Sequence, residues 1–229
     1  MTTREENPFE TELVAKEWIN SVENETGMYR DLLIYPMLEK WVGEVKPETL
    51  LEIGCGQGIC STKLGSYAGE YIGVEPSDFL LKRGQELYGG PKRKFLLGDA
   101  YSMPLEANSV DAAFSVNVWF HLEKLQEASK ELGRVLKPGG QFMIITGNPS
   151  TYNVWEHFFF DYEKQGNKLV GKVNVPINHL SKNIFYLHSL GEIVGALKNS
   201  GLTVTSTEGF GGNEEYKDDG IFVCIKGQK

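Results

Sequence analysis

The sequence has no apolar run approaching the ~20 residues that a membrane-spanning helix needs, so no membrane association is expected. Cysteine is scarce: Cys55, Cys60 and Cys224. Their odd number and irregular spacing fit neither a disulfide framework nor a metal-ligand set. Reduced thiols and no metal are therefore expected. Basic charge is also short. Lys and Arg number 23 against 31 Asp and Glu, a net charge of −8. Sequence-independent nucleic-acid binding leans on Lys and Arg, so no nucleic-acid partner is expected. Residues 1–12 are polar and acidic, unlike a secretory leader, and a cytoplasmic protein is expected. What is present is an ordinary globular composition, 41% hydrophobic and 24% charged over 229 residues. That suffices for a single α/β domain with decoration.

The chain is organised around residues 50–58, Leu-Leu-Glu-Ile-Gly-Cys-Gly-Gln-Gly. Leu50, Leu51 and Ile53 read as the end of a buried strand. Gly54, Gly56 and Gly58 then form a turn with almost no side chains, which lets backbone approach a ligand closely. A helical pattern starts near Gly58 and turns its free N–H groups toward that turn. The dinucleotide fingerprint G-x-G-x-x-G/A would need Gly or Ala at position 59, where Ile59 stands. A nicotinamide oxidoreductase is the rival reading that this residue argues against. A tight structural turn alone would give the same letters.

The observed pattern, Glu52-x-Gly54-x-Gly56-x-Gly58 with Cys55 inside it, resembles motif I of the class I S-adenosylmethionine-dependent methyltransferases, of the small-molecule type. The resemblance implies an α/β fold with a doubly wound, seven-stranded, mostly parallel sheet and a C-terminal antiparallel hairpin. It implies S-adenosyl-L-methionine as cofactor, S-adenosyl-L-homocysteine as product, and Glu52, Gly54, Cys55, Gly56 and Gly58 in the cofactor site. Companions follow in order. Tyr71-Ile72-Gly73-Val74 reads as the second strand and Glu75 stands at its end. A carboxylate there can accept from both hydroxyls of a ribose; a helix-capping or surface acid is the alternative. Pro76 is placed to pack on adenine, and Ser77 is a plausible N-cap for a helix through Tyr88. After the third strand, Phe95-Leu96-Leu97, the resemblance implies that Asp99 meets the adenine amino group and the Ala100 N–H a ring nitrogen. A turn aspartate is the alternative.

Residues 111–115 read as the fourth strand. Ser115, Val116 and Asn117 lie at its carboxyl end, where the resemblance places the methionine part of the cofactor. His121 follows. Many members of the resembled family carry two histidines here, whereas this chain has Phe120-His121. His121 is the candidate catalytic base, with a helix-start histidine as the alternative. Leu122–Leu136 is amphipathic, and Arg134-Val135-Leu136-Lys137-Pro138-Gly139-Gly140 is a family marker whose role is structural. Residues 141–146 read as the fifth strand.

The remainder divides around this core. Residues 1–47 form an expected helical cap, in which Tyr29, Arg30 and Tyr35 either reach a ligand or serve the core. Residues 48–147 form the cofactor-binding core. Residues 148–188 hold Tyr152, Trp155, His157, Phe158, Phe159, Phe160, Tyr162, Phe185 and Tyr186. So long a connection needs a job or its own structure, either a lid over a substrate pocket or core for short extra helices. Residues 189–229 supply a last helix and the hairpin. The expected function is methyl transfer to a small-molecule N, O or C nucleophile by a monomer or homodimer. A binder of donor and product without turnover, and a protein or RNA methyltransferase, are the other readings.

Overall fold

A computed structural model describes residues 8–24, 30–156, 159–173, 183–212 and 220–229. Met28, Tyr29, His157 and Phe158, and the side chains of Trp155, Phe159 and Phe160, lie outside what is described. Apolar runs form the strands of the main sheet: β1 (Thr49–Ile53), β2 (Glu70–Glu75), β3 (Arg93–Leu97), β4 (Val110–Val116) and β5 (Leu136–Gly147). Three strands lie between residues 159 and 186, β6 (Phe159–Gln165), β7 (Lys168–Val173) and β8 (Asn183–Tyr186). The chain ends with β9 (Thr203–Phe210) and β10 (Phe222–Gln228). The main sheet has seven strands in the order β3-β2-β1-β4-β5-β10-β9. β10 runs antiparallel to β5 and to β9, and the other pairings are parallel. This is the expected doubly wound fold. The strand order reverses between β1 and β4, and such a switch point leaves a crevice at the carboxyl ends of the strands.

Helices cover both faces. α5 (Leu125–Val135) and α7 (Leu190–Asn199) bury Leu132, Ile193 and Leu197 against Leu51, Ile53 and Ile144. The opposite face takes Leu38 and Trp41 of α2 (Tyr35–Val45), Leu64 of α3 (Cys60–Leu64) and Leu81 of α4 (Asp78–Tyr88). α1 (Glu12–Asn24) precedes these and contacts α4. Local sequence signals set several helix starts. Pro36 starts α2. The Ser77 hydroxyl accepts from the Leu80 N–H, and Ser189 with Glu192 forms a capping box.

Three boundaries differ from the sequence reading. The helix after the glycine turn starts at Cys60 rather than near Gly58 and runs only to Leu64, with Gly65 as its C-cap. The expected Leu122–Leu136 helix begins at Leu125, after a separate 3-10 turn at Trp119–His121. The Pro138-Gly139-Gly140 turn is drawn into β5. Gly139, at φ +77°, donates its N–H to the Lys229 carbonyl, and the Lys229 N–H returns to Gly140 (both 2.9 Å). The family marker is thereby stitched to residue 229.

The described residues between 148 and 188 form their own small architecture. A 3-10 turn (Pro149–Thr151) and a short helix, α6 (Tyr152–Glu156), lead into a three-stranded antiparallel sheet, β6-β7-β8. Leu169, Phe185 and Phe120 make a cluster separate from the two main ones. Among the described residues, no helix is long and apolar enough to cross a membrane.

Gly58→Ala tests the packing of the first turn. A Cβ there would lie 2.2 Å from Cε1 of Phe95, at φ +74°. Overpacking together with a left-handed alanine should cost about 2–4 kcal/mol, read from chemical denaturation.

Candidate functional site

The crevice at the carboxyl ends of β1, β2 and β4 gathers most of the residues singled out above. Gly54, Gly56 and Gly58 have φ of +70°, +54° and +74°, conformations that other residues avoid. Space reinforces this at the outer pair, since a Cβ on Gly54 would meet Val118 at 2.4 Å. That contact brings the 116–118 segment against the glycine turn. A Cβ on Gly56 would instead stand 3.8 Å from the indole nitrogen of Trp18, so α1 lies over the turn.

Glu75 ends β2, which places its side chain beside that turn. One carboxylate oxygen accepts from the Gly56 N–H (2.9 Å) and the other from the Ser77 N–H (3.0 Å). The residue is 5% exposed. Burial pushes its carboxyl up to about 7, against the pull of those two amides. Alternation along β1 places Glu52 on the face of Leu50, toward α2 and α3. It is 3% exposed, and the Tyr71 hydroxyl donates to it. Burial pushes Glu52 up to about 8, with Tyr71 and Cys60 opposing. The Cys55 and Cys60 thiols are buried and raised by burial, and the three cysteines are free.

Asp99 follows β3. Its Oδ1 accepts from the N–H groups of Tyr101 (2.8 Å) and Ser102 (2.9 Å), the bonding of a turn aspartate. Ala100 beside it is buried and Pro76 half-buried. At the end of β4, the Ser115 hydroxyl accepts from the Trp119 indole (2.9 Å). Val116 is half-buried, and Asn117 takes φ +58° with its N–H on the Ile145 carbonyl (2.8 Å). His121 lies apart from the glycine turn's own contacts. Its Nδ1 lies 3.0 Å from the Ile184 carbonyl of β8, and its ring packs edge-on to Phe185 at 4.9 Å. Burial pulls it down to about 4, so it is uncharged at neutral pH.

Several buried polar atoms near these elements have no partner among the described residues: Gln57 Nε2, Asn117 Oδ1, the Tyr35 hydroxyl and Glu17 Oε2. Buried polar groups are ordinarily bonded, so such orphans mark where a ligand's own polar atoms fit. A donor and several acceptors suit a zwitterionic amino-acid group, and Glu75 suits a ribose. The residues present therefore fit S-adenosylmethionine. Gln57 and Glu17 escaped the sequence reading. A glutamine between two glycines, or a glutamate on an amphipathic helix, carries no mark that it points inward.

Residues 51–144 match the family model described as a methyltransferase domain. Those residues resemble a methyltransferase domain. Over 100 residues the chain is 34% identical to a sterol 24-C-methyltransferase of Pneumocystis carinii, covering 42% of this chain and 26% of that protein. An uncharacterized methyltransferase of Mycobacterium bovis is 28% identical over 157 residues, covering 69% of this chain and 58% of that one. The chain thus spans between a quarter and three fifths of the length of these curated relatives. Among solved structures, Streptomyces venezuelae DesVI superposes with a TM-score of 0.71 at 18% identity, over 93% of this chain and 97% of that one. An S-adenosylmethionine-dependent methyltransferase of Mesorhizobium loti gives 0.65 at 18% identity, over 85% and 96%. At that identity the likeness is one of fold.

The two raised acids predict a pH dependence of stability. Each carboxyl keeps its proton to higher pH in the folded chain than at its ordinary value of 4.5. The folded state therefore binds more protons than the unfolded chain across that interval. Their stabilisation is fully present below about pH 4.5 and is lost as pH rises through about 7 and 8. Thermal midpoints in a pH series should fall through this window, with a shallower fall in Glu52→Gln.

Proposed function

We propose that the protein transfers the methyl group of S-adenosylmethionine to a small-molecule nucleophile, N, O or C, with an amine best suited. The observation that carries this reading is the joint placement of Glu75, the glycine turn and the unpartnered Gln57 and Asn117 at the switch point of the sheet. When bound, the cofactor supplies an electrophilic methyl group on a sulfonium. The chain's task is then to bind, align and exclude water.

In this reading Glu75 receives the ribose hydroxyls while remaining anchored to Gly56 and Ser77. Asp99 and Ala100 take the adenine edge, with Pro76 on its face. Gln57 donates to the methionine carboxylate, and Asn117 accepts from the ammonium. Ser115 and Val116 set the loop that carries Asn117. Residues 1–47 act as the cap. Supporting this, the Ser77 hydroxyl donates to the Phe9 carbonyl (2.5 Å), and Arg83 grips Glu23 at 2.9 and 2.8 Å. Residues 148–188 act as the substrate lid, moored where Phe185 packs on Phe120 at 4.3 Å and β8 meets His121.

His121 is the proposed acceptor-facing group. With Nδ1–H on the Ile184 carbonyl, its Nε2 presents a lone pair. A histidine lowered to about 4 is a weak base, since effective bases titrate near the working pH. It suits an acceptor that attacks through a lone pair it already has, hence the amine.

Two substitutions test the assignments. Glu75→Ala should weaken donor binding by about 1.5–3 kcal/mol in calorimetry, and unchanged affinity would refute the ribose role. His121→Ala should lower turnover and leave donor affinity nearly intact. Activity itself is tested with radiolabelled donor and a panel of small amines, alcohols and activated carbons. Tight binding without labelled product would make the protein a binder.

A further inference from the structure

The proposed donor contacts leave one buried acid without a task. Glu52 sits on β1, two residues before the glycine turn, and is 3% exposed. The titratable groups acting on it come from every neighbouring element: Tyr71 and Glu75 of β2, Cys60 of α3, Tyr35 of α2 and Cys55 of the turn. Arg30 acts on Tyr35 and Cys60. Among the described residues no Lys or Arg forms an ion pair with Glu52. A buried carboxylate without a cation is costly. A neighbour bearing positive charge would relieve that cost, and the Tyr71 hydroxyl is already placed to donate to the charged form.

We propose that Glu52 discriminates between the cationic methyl donor and its neutral thioether product. This rests on the donor site proposed above. Donor and product share adenine, ribose and the amino-acid end, and differ by a methyl group and the positive charge at sulfur. Contacts to the shared parts cannot tell the charges apart, whereas a buried ionisable acid can. Burial holds Glu52 protonated up to about 8, so near neutrality the chain meets its ligand with that carboxyl largely uncharged. A sulfonium favours the carboxylate, and the proton leaves to solvent as the donor binds. Once the methyl group has gone, a charged Glu52 is left without a neighbouring positive charge, and the proton returns from solvent as the product departs. Glu75 faces the shared part of both ligands, so its response largely cancels between them.

The test is titration calorimetry of the full chain with S-adenosylmethionine and with S-adenosylhomocysteine, at pH 7, in two buffers of different ionisation enthalpy. The donor should release more protons than the product. The donor-to-product affinity ratio should rise with pH and level off above about 8. Glu52→Gln should abolish the excess release and lower the ratio at high pH about tenfold, equivalent to a shift of one pKa unit. Tyr71→Phe removes the hydroxyl that favours the carboxylate, so the rise should move to higher pH; this variant decides if Glu52→Gln does not fold. Equal proton release by both ligands, an excess that survives in Glu52→Gln, or an unmoved rise in a Tyr71→Phe protein standing in for it would overturn the proposal. Failure of both ligands to bind would instead overturn the donor site itself.

Discussion

The site depends on a single clasp: the carboxylate of Glu75, buried at the end of β2, holding the Gly56 and Ser77 N–H groups. A turn of three left-handed glycines has no side chains to pack and gains the most conformational freedom on unfolding. Something rigid must fix it. The clasp does so from a neighbouring strand, and Val118 and Phe95 occupy the space where Cβ atoms at Gly54 and Gly58 would lie. The turn is thus set by its surroundings as much as by its own glycines.

The same economy explains the burial of acids here. Two carboxyls within one small region are both pushed up by desolvation, and each is partly offset by hydrogen bonds rather than by a cation. Such an arrangement is expensive in the free protein and suits a ligand that brings positive charge, as the proposed donor would. Elsewhere the charges behave ordinarily. Pairs such as Lys16 with Glu12 and Lys82 with Asp78 are exposed and contribute little.

The inserted sheet is joined to the core through a few specific contacts. His121 meets the Ile184 carbonyl, His188 lies 2.6 Å from the Leu122 carbonyl, and Phe120 stacks near Phe185. All three fall on the segment that follows β4, so β8 and its neighbours are anchored to the carboxyl edge of the main sheet. An imidazole used in this way has its orientation set by the sheet. Its burial, which lowers its basicity, is a consequence of the same packing.

The sequence alone determined the main sheet, the order of its elements and the glycine turn, because these follow from period, apolar runs and residues with special backbone freedom. Leu50 to Ile53 and the Ser77 cap could be read locally. Glu75 could be placed at a strand end for the same reason. Only the tertiary structure decided where the remaining polar side chains point. Gln57 and Glu17 look like solvent-facing residues until other elements enclose them, and Asp99 reveals its bonds to Tyr101 and Ser102 only once the turn is folded. The three-stranded form of residues 159–186 was likewise hidden, since aromatic density does not specify pairing. Burial and register arise between segments distant in sequence, and no local pattern records them.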